Sequence, residues 1–507
     1  MTLSLIFGLA FGSSLASAGD WTEWGGDPQR NMVSTEKGIA VTFGPGTRSA
    51  ETGTIDPKTT QGVRWVVPLG SQTYGNPTIA KGKVFVGTNN DGKYREGVVG
   101  DHSVVLAFSE SDGQFLWQYT APKLGAGKVN DWEYLGICSS PAVVDDVVYV
   151  VSSTGEVVAL DVNGQADGND GIQDEGQSFA GPGKPPLTIG PKDADVLWRF
   201  NMPKELGVFP HNVTSSSVLV VKDRVYVTTS NGTDWSHLNV PSPYSPSLIV
   251  LDRKTGKLIG EEASGISART LHSNWSSPGF APVGKSGVVL FGGGDGYLYG
   301  FEPEPAEVDG LPTLKEKWRL DANAPTYREK DGQPIPYATA PGPSEIIATP
   351  VFADGTVYVS IGQDPEHGPG VGRLTAMDPS QTGDVTKTAT LWTYDDIDRS
   401  ISTVAVSSGI VFAADYAGTL HAVDQKTGKP LWVHDTHGHM WGSPYVADGR
   451  VYIGNEDGAL FVFKASKKKK LLAEIQLSAP MYTTPVVANG TLYIATQNHL
   501  YAVGDAQ

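Results

Sequence analysis

The chain has 507 residues, 39% of them hydrophobic, with 61 glycines, 34 prolines and a net charge of −17. That is apolar matter for a large core, and the glycine and proline content fits many strands joined by tight turns better than long helices. So acidic a surface repels nucleic acid and anionic lipid and sets both aside as partners.

Residues Leu3 to Leu15 are apolar or small, and Ala16-Ser17-Ala18 has the small-x-small form of a cleavage site. Residues 1–18 therefore read as an export signal, although no Lys or Arg precedes the apolar run. The mature chain is expected in the periplasm or medium. No later stretch is long and apolar enough for a membrane span. With Cys138 as the only cysteine, no intrachain disulfide forms, and a buried, inert thiol is expected.

Residues 19–62 read as a leader. After it, self-similarity dominates. Eight segments share a small residue or Pro, an apolar pair, a turn and a β-rich run, from NPTIAKGKVFVG and SPAVVDDVVYVV to SPYVADGRVYIG and TPVVANGTLYIA. Their anchors are Pro77, Pro141, Ser217, Pro278, Pro350, Val404, Pro444 and Pro485; the last two gaps, 40 and 41 residues, are the size of one four-stranded propeller blade. Longer gaps mark inserted loops. One runs from about 162 to 195, beginning DVNGQADGNDG, whose spaced Asp and Asn side chains offer oxygen ligands of the kind calcium takes.

A second block, as in LHAVDQKTGKPLWVHD, reads strand, Asp, Gly-containing turn, then a strand with Trp. The Trp slot holds Trp65, Trp117, Trp198, Trp318, Trp392 and Trp432, expected to pack between blades, with Ile259 and Leu472 in the other two blades. The last repeat lacks its Trp strand, and VRWVVPLG (63–70) supplies it. The fold class is thus all-β: an eight-bladed β-propeller over 63–505, closed by strands from both ends of the chain.

The paired blocks SPxVxxGxVYVG and AxDxxTGxxxW resemble the repeat of pyrroloquinoline-quinone (PQQ) propellers. Those include the quinoprotein alcohol dehydrogenases and the propeller lipoprotein of outer-membrane assembly. The opening DWTEWGGDPQRNMVS resembles the leader of exported PQQ-like propellers. The resemblance spans about residues 20–505 and speaks to fold; function lives in the site.

Blades are related by rotation, so equal offsets from the anchors mean equal heights along the axis. At three, five or six residues before an anchor lie His211, His272, Trp275, Glu345, Arg399, His439 and Trp441. These are expected to line one mouth of an axial funnel, with Glu345 and Arg399 on adjacent blades and able to pair. The resemblance implies PQQ stacked on a Trp against calcium or a lanthanide. On that basis YVTTSNGTDW places Asn231 as a metal ligand, and IGQDPEHGPGVGRLTAMD places Glu366. The order of these two is reversed relative to the family. Where the family's catalytic Asp segment would fall stands LHSNWSSP, and Asn274 there cannot act as a base. There is no vicinal cysteine pair and no C-x-x-C-H haem motif. Two functions stay open: a small-ligand propeller (quinone, alcohol or saccharide), including a quinoprotein-like oxidoreductase, and a non-catalytic scaffold for envelope proteins.

Overall fold

The computed structural model describes residues 19–504, so the export-signal reading of 1–18 lies outside the described residues. Eight antiparallel sheets, each with a four-stranded core, form the blades. The innermost strands are Thr78–Ala80, Ala142–Val144, Leu219–Val221, Gly279–Ala281, Val351–Ala353, Ala405–Ser407, Tyr445–Ala447 and Val486–Ala488, which define blades 1 to 8. In blade 8 the outermost strand is Val63–Pro68, paired antiparallel with His499–Val503. Ring closure by both chain ends thus holds, and no sheet edge is left at the seam.

The Trp slot has a repeated construction. Each of the six outer-strand Trp residues follows a bulge, and the residue facing it on the third strand is small. Trp117 faces Ala107, Trp198 faces Ala159, Trp318 faces Gly300, Trp392 faces Ala376, Trp432 faces Ala422 and Trp65 faces Ala502. The indole fills the space that the missing side chain leaves. In five cases its Nε1–H donates to a backbone carbonyl in the next blade, as Trp65 to Glu110 (2.9 Å) and Trp198 to Arg253 (3.1 Å). Five of the six are buried; Trp392 is half-buried. In blades 3 and 7 the slot belongs to Gly260 and Ala473, facing Val250 and Val462, not to Ile259 and Leu472. The bulge fixes the register there, and the volume has moved to the facing strand.

Residues 19–33 do something no repeat announces. They touch all eight blades on or beside the innermost strands and pair with open backbone groups there. Trp21 bridges Ile79 in blade 1. The carbonyls of Thr22, Pro28, Gln29, Met32 and Gly19 accept the N–H groups of Val143, Phe280, Phe352, Val446 and Asn489, at 2.8–2.9 Å. Asn31 Oδ1 accepts from Val406 N at 2.8 Å. Arg30, fully buried, donates to Val218 O and Pro278 O of blades 3 and 4, to Trp24 O and to Glu23 (2.8 Å). Inner edges converging on an axis cannot pair with one another. The leader supplies the acceptors that buried backbone requires. Residues 34–62 then pack Ile39, Phe43 and Ile55 into the core shared by blades 6, 7, 8 and 1.

Candidate functional site

The segments leading into the innermost strands carry the residues read from register. In blade 3, Pro210 bridges Asn231; Gly232 in turn bridges Ser273 of the blade 4 lead-in; Glu345 in the blade 5 lead-in bridges Gly362. These bridges set His211, His272 and Glu345 side by side.

His211 and His272 meet edge to face, ring centroids 4.3 Å apart, and Trp275 packs 4.9 Å from His272. The Trp275 indole N–H donates to His211 O and Val213 O. Glu345 is fully buried; its Oε2 accepts Ser273 N (3.2 Å) and its Oε1 accepts the Tyr337 hydroxyl (3.2 Å). The same hydroxyl lies 3.4 Å from His272 Nδ1. Arg399, 1% exposed, donates from Nη2 to Thr339 O at 2.8 Å, while its Nε and Nη1 have no partner. No ion pair joins it to Glu345 among the described residues, contrary to the pairing open from sequence; Glu345 is turned to Tyr337 instead.

Sequence register missed two members. His237 sits at centroid distances of 5.0 Å from His211 and 4.6 Å from His272, and Tyr337 lies against His272. His367, the neighbour of Glu366 in the chain, is 5.2 Å from His272. His237 and His367 both ride on loops joining a second strand to a third, in blades 3 and 5. The signal for them is loop length at one fixed point of the repeat, not offset from an anchor.

Burial governs the electrostatics. It pushes His211 down to about 4 and His272 further still, so both rings are neutral at pH 7. Burial holds Glu345 well above the usual carboxylate range and lifts Asp364, whose charge acts on Glu345, to about 6. Arg399 is lowered by the same cause but stays a cation.

His439 and Trp441 belong to a second group. His439 stacks on Tyr416 (4.4 Å) and bonds its carbonyl through Nδ1. Trp441 donates to Glu456 (3.0 Å) and meets Tyr74, Tyr416 and Tyr482 edge-on. The Tyr416 N–H donates to Arg399 O, which links the two groups.

The two metal-ligand assignments stand apart. Asn231 spends its carboxamide on the chain: Oδ1 accepts Phe209 N and Nδ2 donates to Ser242 O, each at 2.8 Å. Glu366 is exposed on a one-turn 3-10 helix, Pro365–His367. In the 162–195 insertion, Asp161, Asn163 and Asp167 bond one another and the local backbone. Cys138 is half-buried, not fully buried as expected, and desolvation still pushes its thiol up to about 12.

Nitrogen donors gather at one place. Ring nitrogens of His211, His237 and His272 lie within 4.8 Å of one another. The Nε2 atoms of His211 and His272 are buried and unpartnered. Imidazoles suit first-row transition metals, and hard cations want oxygen.

Relatives are consistent with the fold. The chain is 34% identical over 117 residues to 1-butanol dehydrogenase (cytochrome c) of Thauera butanivorans and 32% identical over 124 residues to quinohemoprotein alcohol dehydrogenase ADH IIB of Pseudomonas putida. Each match covers 21% of this chain and only 16% of the relative's length. The crystal structure of BamB from Moraxella catarrhalis superposes with a TM-score of 0.54 at 14% identity, covering 87% of this chain and 99% of that one, which speaks to fold alone. Residues 14–181 and 370–471, just over half of the chain, match the PQQ-type repeat family described as outer membrane protein assembly factor BamB, and the chain belongs to that family.

Proposed function

We propose that this chain is an envelope propeller that binds a small carboxylate-bearing ligand in the axial cluster. One observation carries the reading: the buried Arg399 guanidinium, with Nε and Nη1 free of partners and no carboxylate paired to it among the described residues. A buried cation left without its counter-charge costs several kcal/mol, roughly, so an anion is the ligand that recovers most. Tyr337 and His367 feel its charge, and through Tyr337 it borders His272 and Trp275. The envelope location rests on the export reading of 1–18 and on the family's outer-membrane description.

PQQ held against calcium or a lanthanide, as the repeat resemblance implies, fits this donor set poorly. Asn231 has no free amide atom, and Glu366 is exposed. Glu345 is held toward its protonated form, and His211 and His272 crowd Trp275. We therefore derive no redox step for this chain. Quinone acids remain within the ligand class through their carboxylates alone.

The test is calorimetric titration, in EDTA, of PQQ, citrate and glucose into the wild type and Arg399→Gln. Citrate or PQQ should bind the wild type and weaken tenfold or more in the variant, with glucose silent. If neither acid binds, or if binding is unchanged by Arg399→Gln, the ligand reading fails.

A scaffold role has one observation in its favour. The 229–247 loop exposes Trp235, Leu238 and Tyr244, at 54%, 85% and 97%. Failure of all three titrations would give that reading precedence.

A further inference from the structure

We propose that His211, His237 and His272 form a three-imidazole site for a borderline divalent metal ion, zinc or copper(II). The site lies beyond the anion subsite on Arg399 and stands without it.

Geometry comes first. The three ring nitrogens lie within 4.8 Å of one another. A tetrahedral zinc at about 2.0–2.1 Å from each ligand would draw them to about 3.3 Å apart. The remaining closure falls to His237. It is half-buried, near the tip of the 229–247 loop, between exposed Trp235 and Leu238. His211 and His272 sit on lead-in segments pinned by backbone bridges and are preset. One loop-borne ligand closing on two fixed ones is a workable way to load a metal.

The outer contacts point the same way. His211 Nδ1 faces Thr233 O at 2.7 Å. A carbonyl only accepts, so Nδ1 carries the proton and the Nε2 lone pair is left for a metal. That Nε2 is buried with no partner, and so is His272 Nε2. His272 Nδ1 in turn meets Tyr337 Oη, which bonds Glu345. Metal-bound histidines are commonly steadied through the second ring nitrogen by a carbonyl or carboxylate, and here one ring has a carbonyl and the other a phenol that is bonded in turn to the Glu345 carboxyl.

Packing alone does not account for this arrangement. Stacked neutral imidazoles could serve as core, but a buried ring nitrogen without a partner is costly to desolvate. Two such atoms, on rings that gather with a third histidine, are better explained by a ligand that all three share. His367 borders the group, 5.2 Å from His272 and 5.8 Å from His237 by ring centroid, with its Nδ1 also unpartnered. It either completes the shell or walls an open fourth position. The all-nitrogen set selects zinc or copper(II) over calcium.

The test uses the full chain, stripped with EDTA and passed through gel filtration after incubation with ZnCl2, CuCl2 or CaCl2. Metal is then counted by mass spectrometry. One zinc or one copper per chain should be retained, and no calcium. The copper form should show nitrogen hyperfine structure in electron paramagnetic resonance. His237→Asn, at a left-handed position (φ 58°) that asparagine accepts, should lose at least tenfold in affinity while melting like the wild type. His272→Asn should also lose the metal. His437→Asn, at an exposed histidine outside the cluster, should retain it, as should Arg399→Gln. No retained metal in the wild type, or loss that follows His437 and not His237, would overturn the site. Neither result bears on citrate or PQQ binding measured in EDTA.

Discussion

Gly256 ends the DRKTG turn of blade 3 with φ +67°, and a Cβ built on it would fall 2.4 Å from Trp198 Cε3 and 2.6 Å from Cδ2. Two separate penalties should follow from Gly256→Ala, and the structure offers a way to part them. Gly449, in the Asp448–Gly449 turn of blade 7, has φ +70° but nothing within 4 Å of its would-be Cβ. Gly449→Ala therefore reports the left-handed backbone alone, about 1–2 kcal/mol. Gly256→Ala adds displacement of the Trp198 indole. That strains packing by about 1–3 kcal/mol and threatens the bond from Trp198 Nε1 to Arg253 O, worth about 0.5–1.5 kcal/mol. The expected costs are about 1–2 kcal/mol for Gly449→Ala and about 2.5–6.5 kcal/mol for Gly256→Ala. Urea unfolding at pH 7, followed by tryptophan fluorescence and far-UV circular dichroism, measures both. In a Trp198→Ala background the extra cost of Gly256→Ala should vanish, leaving only the backbone share. Equal losses from the two glycine variants, or an undiminished loss in the Trp198→Ala background, would refute the claim that this glycine seats the neighbouring blade's indole.

Three further outcomes are expected. Arg30→Met leaves Glu23 buried without its partner and should cost about 3–5 kcal/mol, while Arg30→Met with Glu23→Gln should recover part of it; thermal melts of the two check this. His499, 2% exposed on the seam strand, is pushed down to about 4 by burial first and the charge of Arg48 second. Its neutral form is favoured by the fold, so stability is undiminished above about pH 6.5 and lost as pH falls toward 4; at pH 5 the loss is about 2 kcal/mol, and His499→Phe should flatten that part of the stability–pH profile. Asn231→Ala removes two loop bonds, each worth about 0.5–1.5 kcal/mol, and should lower the melting temperature without altering the response to added CaCl2.

The propeller was legible because its physics repeats. A turn Asp and Gly, an apolar pair and an indole recur at blade spacing, and the displaced strand 63–70 completes a count that would otherwise fall short. The Trp slot was legible wherever an indole filled it. In blades 3 and 7 the volume lies on the facing strand as Val250 and Val462, and a reading along one strand slips by one residue. Register brought His211, His272, Trp275 and Glu345 to one neighbourhood. It also gathered His439 and Trp441, which the structure assigns to a separate aromatic group. His237 was invisible for a physical reason: its position is fixed by an insertion outside the repeat, where equal offset carries no meaning. The circuit of the leader was invisible too. It contacts each blade largely through backbone carbonyls, which leave little mark on side-chain pattern.

That circuit bears on how the molecule comes into being. Residues 19–33 precede every blade in the chain, yet their acceptors are matched to donors as late as Asn489. During synthesis, which runs from the N-terminus, this segment emerges before the blades and has no finished seat until the last of them exists. Seating the leader and joining Val63–Pro68 to His499–Val503 are thus both terminal steps. A nascent or truncated chain lacking blade 8 holds an unclosed sheet edge and an unseated hub at once. The assembled molecule, by contrast, gives up no single blade without breaking a bond to one shared segment, so loss of structure is expected to be collective rather than blade by blade.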